Sequence, residues 1–463
     1  MKEMKTILPL AIFLFGATGS IFAQGADTNL PAYARETTTN WIAWSTQPLS
    51  LVNALNLSLQ QNATILEARN DLRASQGVVI QTRAVALPQV TAGGQYKYTQ
   101  PTAEETLFGF TEPNQNWNAD VQIVQTIYEG GKLVAAIRAA GATKRQAIAQ
   151  FETVVADTLL NTRVAYYDVL LAGQQITVHE ASVNLLQKEL QDQESRYKAG
   201  TVPHFNVLQA DVALANERPN LIQARNNYRI AKNNLSNLLG YNLPRDIWED
   251  IPMHLSDTLD DKPFEVNLPD AIQAAMARRT ELIALREGEE LDNLNLVNAS
   301  SGYKPSLQVF AGYGWNNAQF TPPVTLNHDL YGYNAGAQLQ WDIFDGLLTR
   351  GKVVQARALY EKSQNTLADE SRQIELEVRT AYSDFVEAKE VLVSQEEVQA
   401  EAEEALREAR ARSEAGTGTQ LDVLNAETAL TQARTTQIQA LHDYDVARAR
   451  LERAMGENMT MGG

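Results

Sequence analysis

Residues that could carry out chemistry are few and scattered in this sequence. The chain has no cysteine, which excludes thiolate catalysis, thiolate metal sites and disulfides. Its histidines do not show the spacing of metal ligands; they are His179, His204, His254, His328 and His442. Adjacent carboxylates such as Glu289 with Glu290 and Glu403 with Glu404 lie in long polar segments of helical period. A solvated helix face explains them better than an acid–base pair, which needs a shared site and separated pKa values.

Motifs that bind phosphate or activate a nucleophile are also missing from the sequence. No Gly-x-Ser-x-Gly elbow occurs, so the turn that exposes a nucleophilic serine is absent. Gly312-Tyr-Gly314 and Gly416-Thr-Gly418 are isolated glycine pairs without the strand and helix context of a phosphate-binding loop. We therefore predict that the protein is not an enzyme and holds no metal and no cofactor.

The charge balance and the N-terminus indicate an exported protein that does not bind nucleic acid. The chain has 39 Lys+Arg against 56 Asp+Glu, a net charge of -17, which repels phosphates. Lys2 and Lys5 precede an apolar run at 7–17, and small residues follow up to Ala23. This order predicts a signal peptide over 1–23. The apolar run is about half of the ~20 residues that a spanning helix needs, and no later stretch reaches that length.

A duplicated turn organises the rest of the chain. The segments 197–214 (YKAGTVPHFNVLQADVAL) and 413–430 (SEAGTGTQLDVLNAETAL) align residue by residue, with Gly200 matching Gly416. In each copy the glycine separates two long segments whose apolar residues recur at helical spacing, which predicts the tip of a helical hairpin. The sequence therefore predicts two repeats of one structural unit.

Helices are predicted on both sides of each turn. The long helices are expected over 132–199 and 348–415, and the returning helices over 203–239 and 420–455, with a kink at Pro219. A single helix is predicted to open each repeat, from Leu51 up to Pro88 and from Leu268 onwards. The complete division is an N-terminal arm at 24–50, a first repeat at 51–240, a linker at 241–267, a second repeat at 268–457 and a tail at 458–463.

Four segments change from helical period to strict alternation. The predicted strands cover about 88–100, 117–128, 305–317 and 331–344. One face of each is apolar with aromatic residues towards the ends, and the other is polar but almost uncharged, as in a transmembrane β-barrel. Four strands cannot close a barrel, and open strand edges are very costly in hydrocarbon. We therefore expect several copies to share one barrel, with eight strands from two copies or twelve from three.

Together these motifs resemble those of the TolC family of outer-membrane efflux proteins. The resemblance covers about residues 50–457 and rests on the doubled order of elements, the strand exits IYEGG and IFDGL, and the two tip sequences. It implies a mostly α-helical fold with a β-barrel contribution. In a homotrimer, twelve strands would form the outer-membrane barrel in contact with lipid, and the duplicated helical hairpins would form a periplasmic α-barrel about 100 Å long.

The resemblance also implies a function. The protein would be the exit duct of a tripartite efflux or type I secretion system, passive and gated at the periplasmic helical tips. Its partners would be a periplasmic adaptor (membrane fusion) protein and an inner-membrane pump. A soluble periplasmic coiled-coil scaffold is the alternative, although it has no use for long strands with an aromatic face.

Candidate site residues follow from the same resemblance. The gate would be lined by Asp422 and Asn425 of the second copy and by the matching Asn206 and Gln209 of the first. The family pattern has two acidic residues in the second copy, whereas this chain has one. Asp422 also fits a helix-capping role, because Thr419-x-x-Asp422 resembles a capping box, and both roles stay open.

Adaptor docking is expected at the turns themselves. The tip residues are Arg196, Ala199, Gly200 and Thr201 in the first copy and Arg412, Ala415, Gly416 and Thr417 in the second. For the two arginines the alternative is a solvated side chain that favours the negative end of the helix dipole.

Overall fold

The computed structural model describes residues 48–98, 115–241, 251–259, 262–319 and 327–457. The predicted signal peptide, residues 24–47 of the arm, parts of the loops and of the linker, and the tail at 458–463 lie outside these residues. The described elements are helices and one four-stranded sheet. The predicted fold class, mostly helical with a β contribution, is confirmed.

Both repeats have the same order of two short helices, two strands, a long helix and a returning helix. In the first repeat these are α1 (Leu51–Gln61), α2 (Ala63–Ala84), β1 (Gln89–Tyr98), β2 (Gln115–Glu129), α3 (Lys132–Lys198) and α4 (His204–Leu238). In the second they are α5 (Leu268–Arg278), α6 (Thr280–Ser300), β3 (Ser306–Gln319), β4 (Asn327–Gln340), α7 (Leu348–Glu414) and α8 (Gln420–Ala454). Helices α3 and α7 each have 67 residues, about 100 Å at 1.5 Å per residue.

The single helix predicted at the start of each repeat is wrong, because the chain breaks it at Asn62 and at Arg279. Both residues adopt extended backbone angles, with ψ 128° and 122°. The cause is tertiary: the turn after each returning helix packs against the break. A Cβ added at Gly240 would lie only 2.2 Å from the carbonyl oxygen of Gln61, and one at Gly456 would lie 3.0 Å from the Cβ of Arg278. Helix α4 itself continues through Pro219.

The strands form one antiparallel sheet in the order β1-β2-β3-β4. The two repeats meet between β2 and β3, where a register shift lies between Thr126 and Tyr128. Strand β4 ends at Gln340, so Trp341 and Ile343, predicted as part of the strand, lie beyond it. Pairing stops there because β3 begins at Ser306, which is opposite Gln340. The outer strands β1 and β4 each leave one edge unpaired among the described residues.

The described part of the linker packs into a core that the first repeat shares with α8 of the second. Ile251, Met253 and Leu259 are buried with Leu235 and Val169 of the helices. Apolar burial of this kind contributes about 1.5–3 kcal/mol per large side chain. The core therefore joins the linker to α3 and α4.

A second core lies along the apolar seam predicted on α7. Ile374, Val378, Ala381, Phe385 and Leu392 are buried there with residues of α5 and α8. Phe385 contacts the ring of Tyr444 on α8 at a centroid distance of 5.5 Å. The spacing of these residues is the coiled-coil spacing of four and three.

Candidate functional site

The first hairpin tip is a Schellman turn built on Gly200. Helix α3 is capped by Ala199, and Gly200 then takes a left-handed φ of 72°, a conformation that favours glycine because it lacks a Cβ. The amide of Gly200 donates to the Tyr197 carbonyl at 2.9 Å, and the amide of Thr201 donates to the Arg196 carbonyl at 3.0 Å. These bonds satisfy carbonyls that the helix end leaves free.

The second tip has the same geometry. Helix α7 is capped by Ala415, and Gly416 has a φ of 74°. The Gly416 amide donates to the Ser413 carbonyl at 3.1 Å, and the Thr417 amide donates to the Arg412 carbonyl at 2.9 Å. The tip residues that the sequence singled out therefore form two equivalent turns.

The arginine before each tip makes an ion pair within its own helix. Arg196 Nε lies 2.7 Å from an Asp192 carboxylate oxygen, and Arg412 pairs with Glu408. Both side chains are partly exposed, at 37% and 63%, so they stay accessible to a partner. Their role in docking stays a prediction.

The two returning helices begin differently. Helix α4 starts after Pro203, without a side-chain cap. Helix α8 starts with a complete capping box, in which the Thr419 hydroxyl accepts from the Asp422 amide at 3.2 Å and the Thr419 amide donates to Asp422 Oδ2 at 2.9 Å. Hydrogen bonds from the backbone and hydroxyl of Thr419 lower the pKa of Asp422. The capping role of Asp422 is thus observed, and its carboxylate is held ionised.

The proposed gate residues do not share one environment. Asp422 and Asn425 are exposed, whereas Asn206 and Gln209 are half-buried. Asp422 and Asn425 are three residues apart on α8, so they lie on the same side of the helix. Whether they line a gate depends on other copies of the chain, and this role stays a prediction.

Sequence reasoning missed a buried polar cluster that joins the two hairpins near the tips. Gln193 of α3 donates to Gln420 of α8 at 2.8 Å, and Gln420 donates to Glu189 at 2.7 Å. Two turns further along α8, Glu427 is 2% exposed and accepts from Arg410 of α7 at 3.0 Å. Burial raises the pKa of Glu427, and the Glu189 charge raises it further. The sequence offers one indication of this cluster, which is glutamine at the spacing of buried residues. A single sequence does not distinguish such a glutamine from one on a solvent-exposed face.

The sheet has two chemically different faces. What we call the aromatic face carries Val90, Ala92, Gly94, Tyr96 and Tyr98 of β1, Trp117, Ala119, Val121 and Ile123 of β2, Leu307, Val309, Ala311, Tyr313 and Trp315 of β3, and Tyr331, Tyr333, Ala335, Ala337 and Leu339 of β4. The polar face carries Thr91, Gly93, Gln95 and Lys97 of β1, Asn116, Asn118, Asp120 and Gln122 of β2, Gln308, Phe310, Gly312, Gly314 and Asn316 of β3, and Leu330, Gly332, Asn334, Gly336 and Gln338 of β4.

The aromatic face is uncovered in the single chain. Tyr333 is 88% exposed and Tyr331 is 73% exposed. Trp117 and Trp315 meet edge to face with ring centroids 5.0 Å apart. A large exposed apolar surface marks contact with a partner or a membrane. None of the described helices has the length and apolar character to cross a membrane, and no metal-binding group of three His, Cys, Asp or Glu occurs among the described residues.

Comparison with known proteins gives consistent matches along both repeats. The family model described as outer membrane efflux protein matches residues 54–241 and 271–457. The chain is 23% identical to outer membrane protein TolC of Escherichia coli K12, over 89% of this chain and 83% of that protein. It is 23% identical to the proteases secretion protein PrtF of Dickeya chrysanthemi, over 83% of each protein.

A solved structure has the same fold. The CmeC outer membrane channel of Campylobacter jejuni superposes with a TM-score of 0.74 at 15% identity, over 88% of this chain and 85% of that chain. At this identity the similarity shows a shared fold.

Proposed function

Because the chain belongs to the outer membrane efflux protein family, we propose that it is the exit duct of a tripartite efflux or type I secretion system. It is an outer-membrane transport protein, and the duct carries cargo from a periplasmic adaptor and an inner-membrane pump to the exterior. Transport through it is passive and controlled at the helical tips, and it needs no catalytic residue of its own.

The observation that supports this proposal is the incomplete sheet. Its aromatic face is exposed, its polar face is almost uncharged, and β1 and β4 each have an unpaired edge among the described residues. Such a sheet is unstable alone in a membrane because unpaired backbone groups cost several kcal/mol each in hydrocarbon. A soluble scaffold would leave the same aromatic surface in water, which counts against that alternative.

Pairing between copies would complete the barrel. Neighbouring strands are antiparallel throughout, and four strands is an even number, so β4 of one copy can pair antiparallel with β1 of the next. We propose three copies and twelve strands, with the aromatic face towards lipid and the polar face towards the lumen. The long helices α3 and α7 would extend from this barrel into the periplasm.

The experiment that tests the duct combines mass and conductance. The full chain, purified from outer membranes in detergent, is expected to have the mass of a trimer by light scattering and to form ion channels in planar bilayers. A monomer that partitions into the periplasm without detergent would contradict the proposal and favour the scaffold.

The proposed gate is tested by Asp422→Asn. Asparagine removes the charge but keeps an oxygen that can accept from Thr419, so the cap is retained. If three copies of Asp422 surround one axis with Asn425, Asn206 and Gln209, the variant lowers the preference for cations. Asp369→Asn is the matched control, because Asp369 is an exposed acid on α7 far from the tips. Unchanged selectivity in Asp422→Asn would leave Asp422 with its capping role alone.

Adaptor docking at the tips is tested by site-specific crosslinking. The chain has no cysteine, so Arg196→Cys and Arg412→Cys each introduce a single reactive thiol. We expect adducts with a co-expressed periplasmic adaptor from at least one tip. The control Arg372→Cys, at an exposed position on α7, should give none. Equal labelling from all three positions, or from none, would contradict docking at the tips.

A further inference from the structure

Two charged side chains lie on the polar face of the sheet beyond its junction with the helices. They are Asp120 on β2 and Lys97 on β1, and apart from Glu129 the other residues of the described strands on that face carry no charge at pH 7. A third charge, Glu129, ends β2 next to the helices and is neutralised by Lys132, with Oε1 and Nζ 2.6 Å apart. Asp120 and Lys97 are therefore the charges that the described strands would present to a solute inside the barrel.

Asp120 is half-buried, and both residues directly opposite it on the neighbouring strands are glycines. In the strand register, Asp120 is opposite Gly93 on one side and Gly314 on the other. A Cβ added at Gly93 would lie 2.9 Å from Asp120 Oδ1, and one added at Gly314 would lie 3.8 Å from the Asp120 Cβ. The carboxylate thus occupies the space above Gly93 that the side chain of any other residue at position 93 would fill. No cross-strand side chain on either side shields its charge.

Lys97 lies on the same face but at another level. It is four residues beyond Gly93 along β1, a separation of about 14 Å at ~3.4 Å per residue. Since β1 begins next to α2, Lys97 is further from the helices than Asp120. The two charges are therefore too far apart to form an ion pair within one chain.

We propose that Asp120 from each of three copies forms an acidic ring inside the barrel, which makes the lumen favour cations, and that Lys97 forms an opposing basic ring nearer the outer mouth. This inference rests on the proposed trimeric duct. The acidic ring would be a determinant of ion and cargo preference in the membrane segment, separate from the periplasmic tips.

The size of the barrel makes such a ring effective at low salt. Twelve strands spaced about 4.8 Å apart and tilted by about 40° enclose a backbone diameter of roughly 24 Å. A wall charge is then about 12 Å from the axis, well inside the Debye length of ~30 Å at 0.01 M salt but far outside the ~3 Å at 1 M. The preference should therefore be strong in dilute salt and vanish in concentrated salt.

The test is the reversal potential of single channels under a KCl gradient in planar bilayers. In about 0.01–0.05 M salt, Asp120→Asn is expected to lower the K⁺/Cl⁻ permeability ratio at least about twofold, with little change at ~1 M. Lys97→Gln should raise the same ratio. Both variants are measured in the wild-type and the Asp422→Asn backgrounds, so that a charge at the tips cannot mask the barrel.

The control variant is Asp329→Asn, because Asp329 lies on β4 opposite Asn317 and on the side of the aromatic face. Its removal should leave the ratio unchanged. Asp120→Asn channels that conduct with the wild-type ratio at low salt in both backgrounds would overturn the ring while leaving the duct intact. A wild-type protein that forms no channel would overturn the duct, and the ring with it.

Discussion

In the first repeat the break between the two short helices is held by an amide, whereas in the second it is held by charges. Asn62 donates through Nδ2 to the Leu238 carbonyl at 2.6 Å and accepts from the Thr64 amide at 2.8 Å. Arg279 makes a longer contact with the matching carbonyl, that of Ala454, at 3.4 Å. The backbone requirement, a donor for the last carbonyl of the returning helix, is thus common to both repeats.

The charges of the second repeat add connections that the first repeat does not have. Arg279 is 5% exposed and bonds to Glu377 on α7 at 2.8 Å and to Glu281 on α6 at 3.0 Å. Arg453 of α8 bonds to the same Glu281 at 2.5 Å and to Asp157 of α3 at 2.7 Å. The first break is therefore held by one amide side chain, and the second is part of an ion-pair network across four helices. The stabilities of variants at matching positions of the two repeats can therefore distinguish the contribution of the shared backbone geometry from that of the additional ion pairs.

The largest loss of stability is expected where the turn after a returning helix approaches the helix break most closely. Gly240→Ala should destabilise the fold by about 3 kcal/mol or more, because its Cβ would overlap the Gln61 carbonyl group at 2.2 Å and its φ is 73°. Gly456→Ala should cost about 1–2 kcal/mol, mainly for the left-handed backbone, since its nearest contact is 3.0 Å. Denaturant midpoints of the purified proteins measure both. Equal losses would show that strain at φ, not the contact, dominates.

Replacing Arg279 at the charged break should cost more stability than replacing Asn62 at the neutral one. Arg279→Met leaves Glu377 without its partner and Glu281 with Arg453 alone. It should cost about 2–4 kcal/mol, somewhat less than a fully buried pair because Glu377 is half exposed. Asn62→Ala should cost about 1–2 kcal/mol through the lost cap. Arg279→Lys, which keeps the charge but not the forked geometry, should fall between wild type and Arg279→Met.

A pH series checks the electrostatic origin of that difference. Burial would raise the pKa of Glu281, but the charge and hydrogen bond of Arg453, together with the charge of Arg279, outweigh it and the pKa is lowered. A carboxyl with a lowered pKa stabilises the fold above its unfolded pKa, and this contribution is lost as the pH falls through the folded value. The gap between wild type and Arg279→Met should therefore narrow in acid. A gap that is constant with pH would indicate lost packing alone.

These positions also show which features a single sequence can predict. The hairpin tips and the ends of the long helices depend on glycine and on apolar period, which are local, and the observed ends of α3, α4, α7 and α8 lie within one residue of the predicted ones. The breaks at Asn62 and Arg279 depend on the approach of Gly240 and Gly456 from far along the chain. No local pattern marks them.

The same distinction between local and long-range contacts applies to the candidate site. The capping box at Thr419 was predictable because all its atoms lie within one turn of helix. The cluster of Gln193, Gln420 and Glu427 was not predictable. In a single sequence a glutamine or glutamate is read as solvent-exposed, and nothing nearby along the chain shows that these three are buried. Likewise Trp341 and Ile343 continue the alternation of β4, but the strand stops where its partner β3 begins.

A smaller effect is expected at the strand exits. Gly131 has a φ of 100° in the first repeat, and Leu347 takes the same place in the second with a φ of 72°. Leucine in this conformation costs about 1–2 kcal/mol, and its side chain is 59% exposed in the single chain. Leu347→Gly should therefore stabilise the isolated fold by about 1 kcal/mol, and Gly131→Ala should destabilise it by a similar amount. A loss of stability in Leu347→Gly trimers would show that Leu347 packs against another copy.

The smallest effect should come from His442, which joins the two repeats across α3 and α8. Its Nε2 lies 2.8 Å from Asp168 of α3 and its Nδ1 lies 3.0 Å from Asp443, so a protonated ring donates to a carboxylate on each side. Burial lowers the pKa of His442, but hydrogen bonds to these two carboxylates outweigh it and the pKa is raised. A histidine with a raised pKa contributes stability that is fully present below its unfolded pKa, ~6.5, and lost as the pH rises through the folded value.

Replacement of His442 separates this contribution from packing. His442→Gln should lower the melting temperature relative to wild type in mild acid, by the equivalent of about 0.5–1 kcal/mol, and by less as the pH increases. The matching position in the first repeat is Asn226, which does not titrate, so Asn226→Gln should shift the melting temperature equally at every pH. If the two variants have parallel pH profiles, the ion pairs of His442 do not contribute. If only His442→Gln converges on wild type in base, the contact between the repeats gains strength from protonation, a property that the first copy of this position does not have.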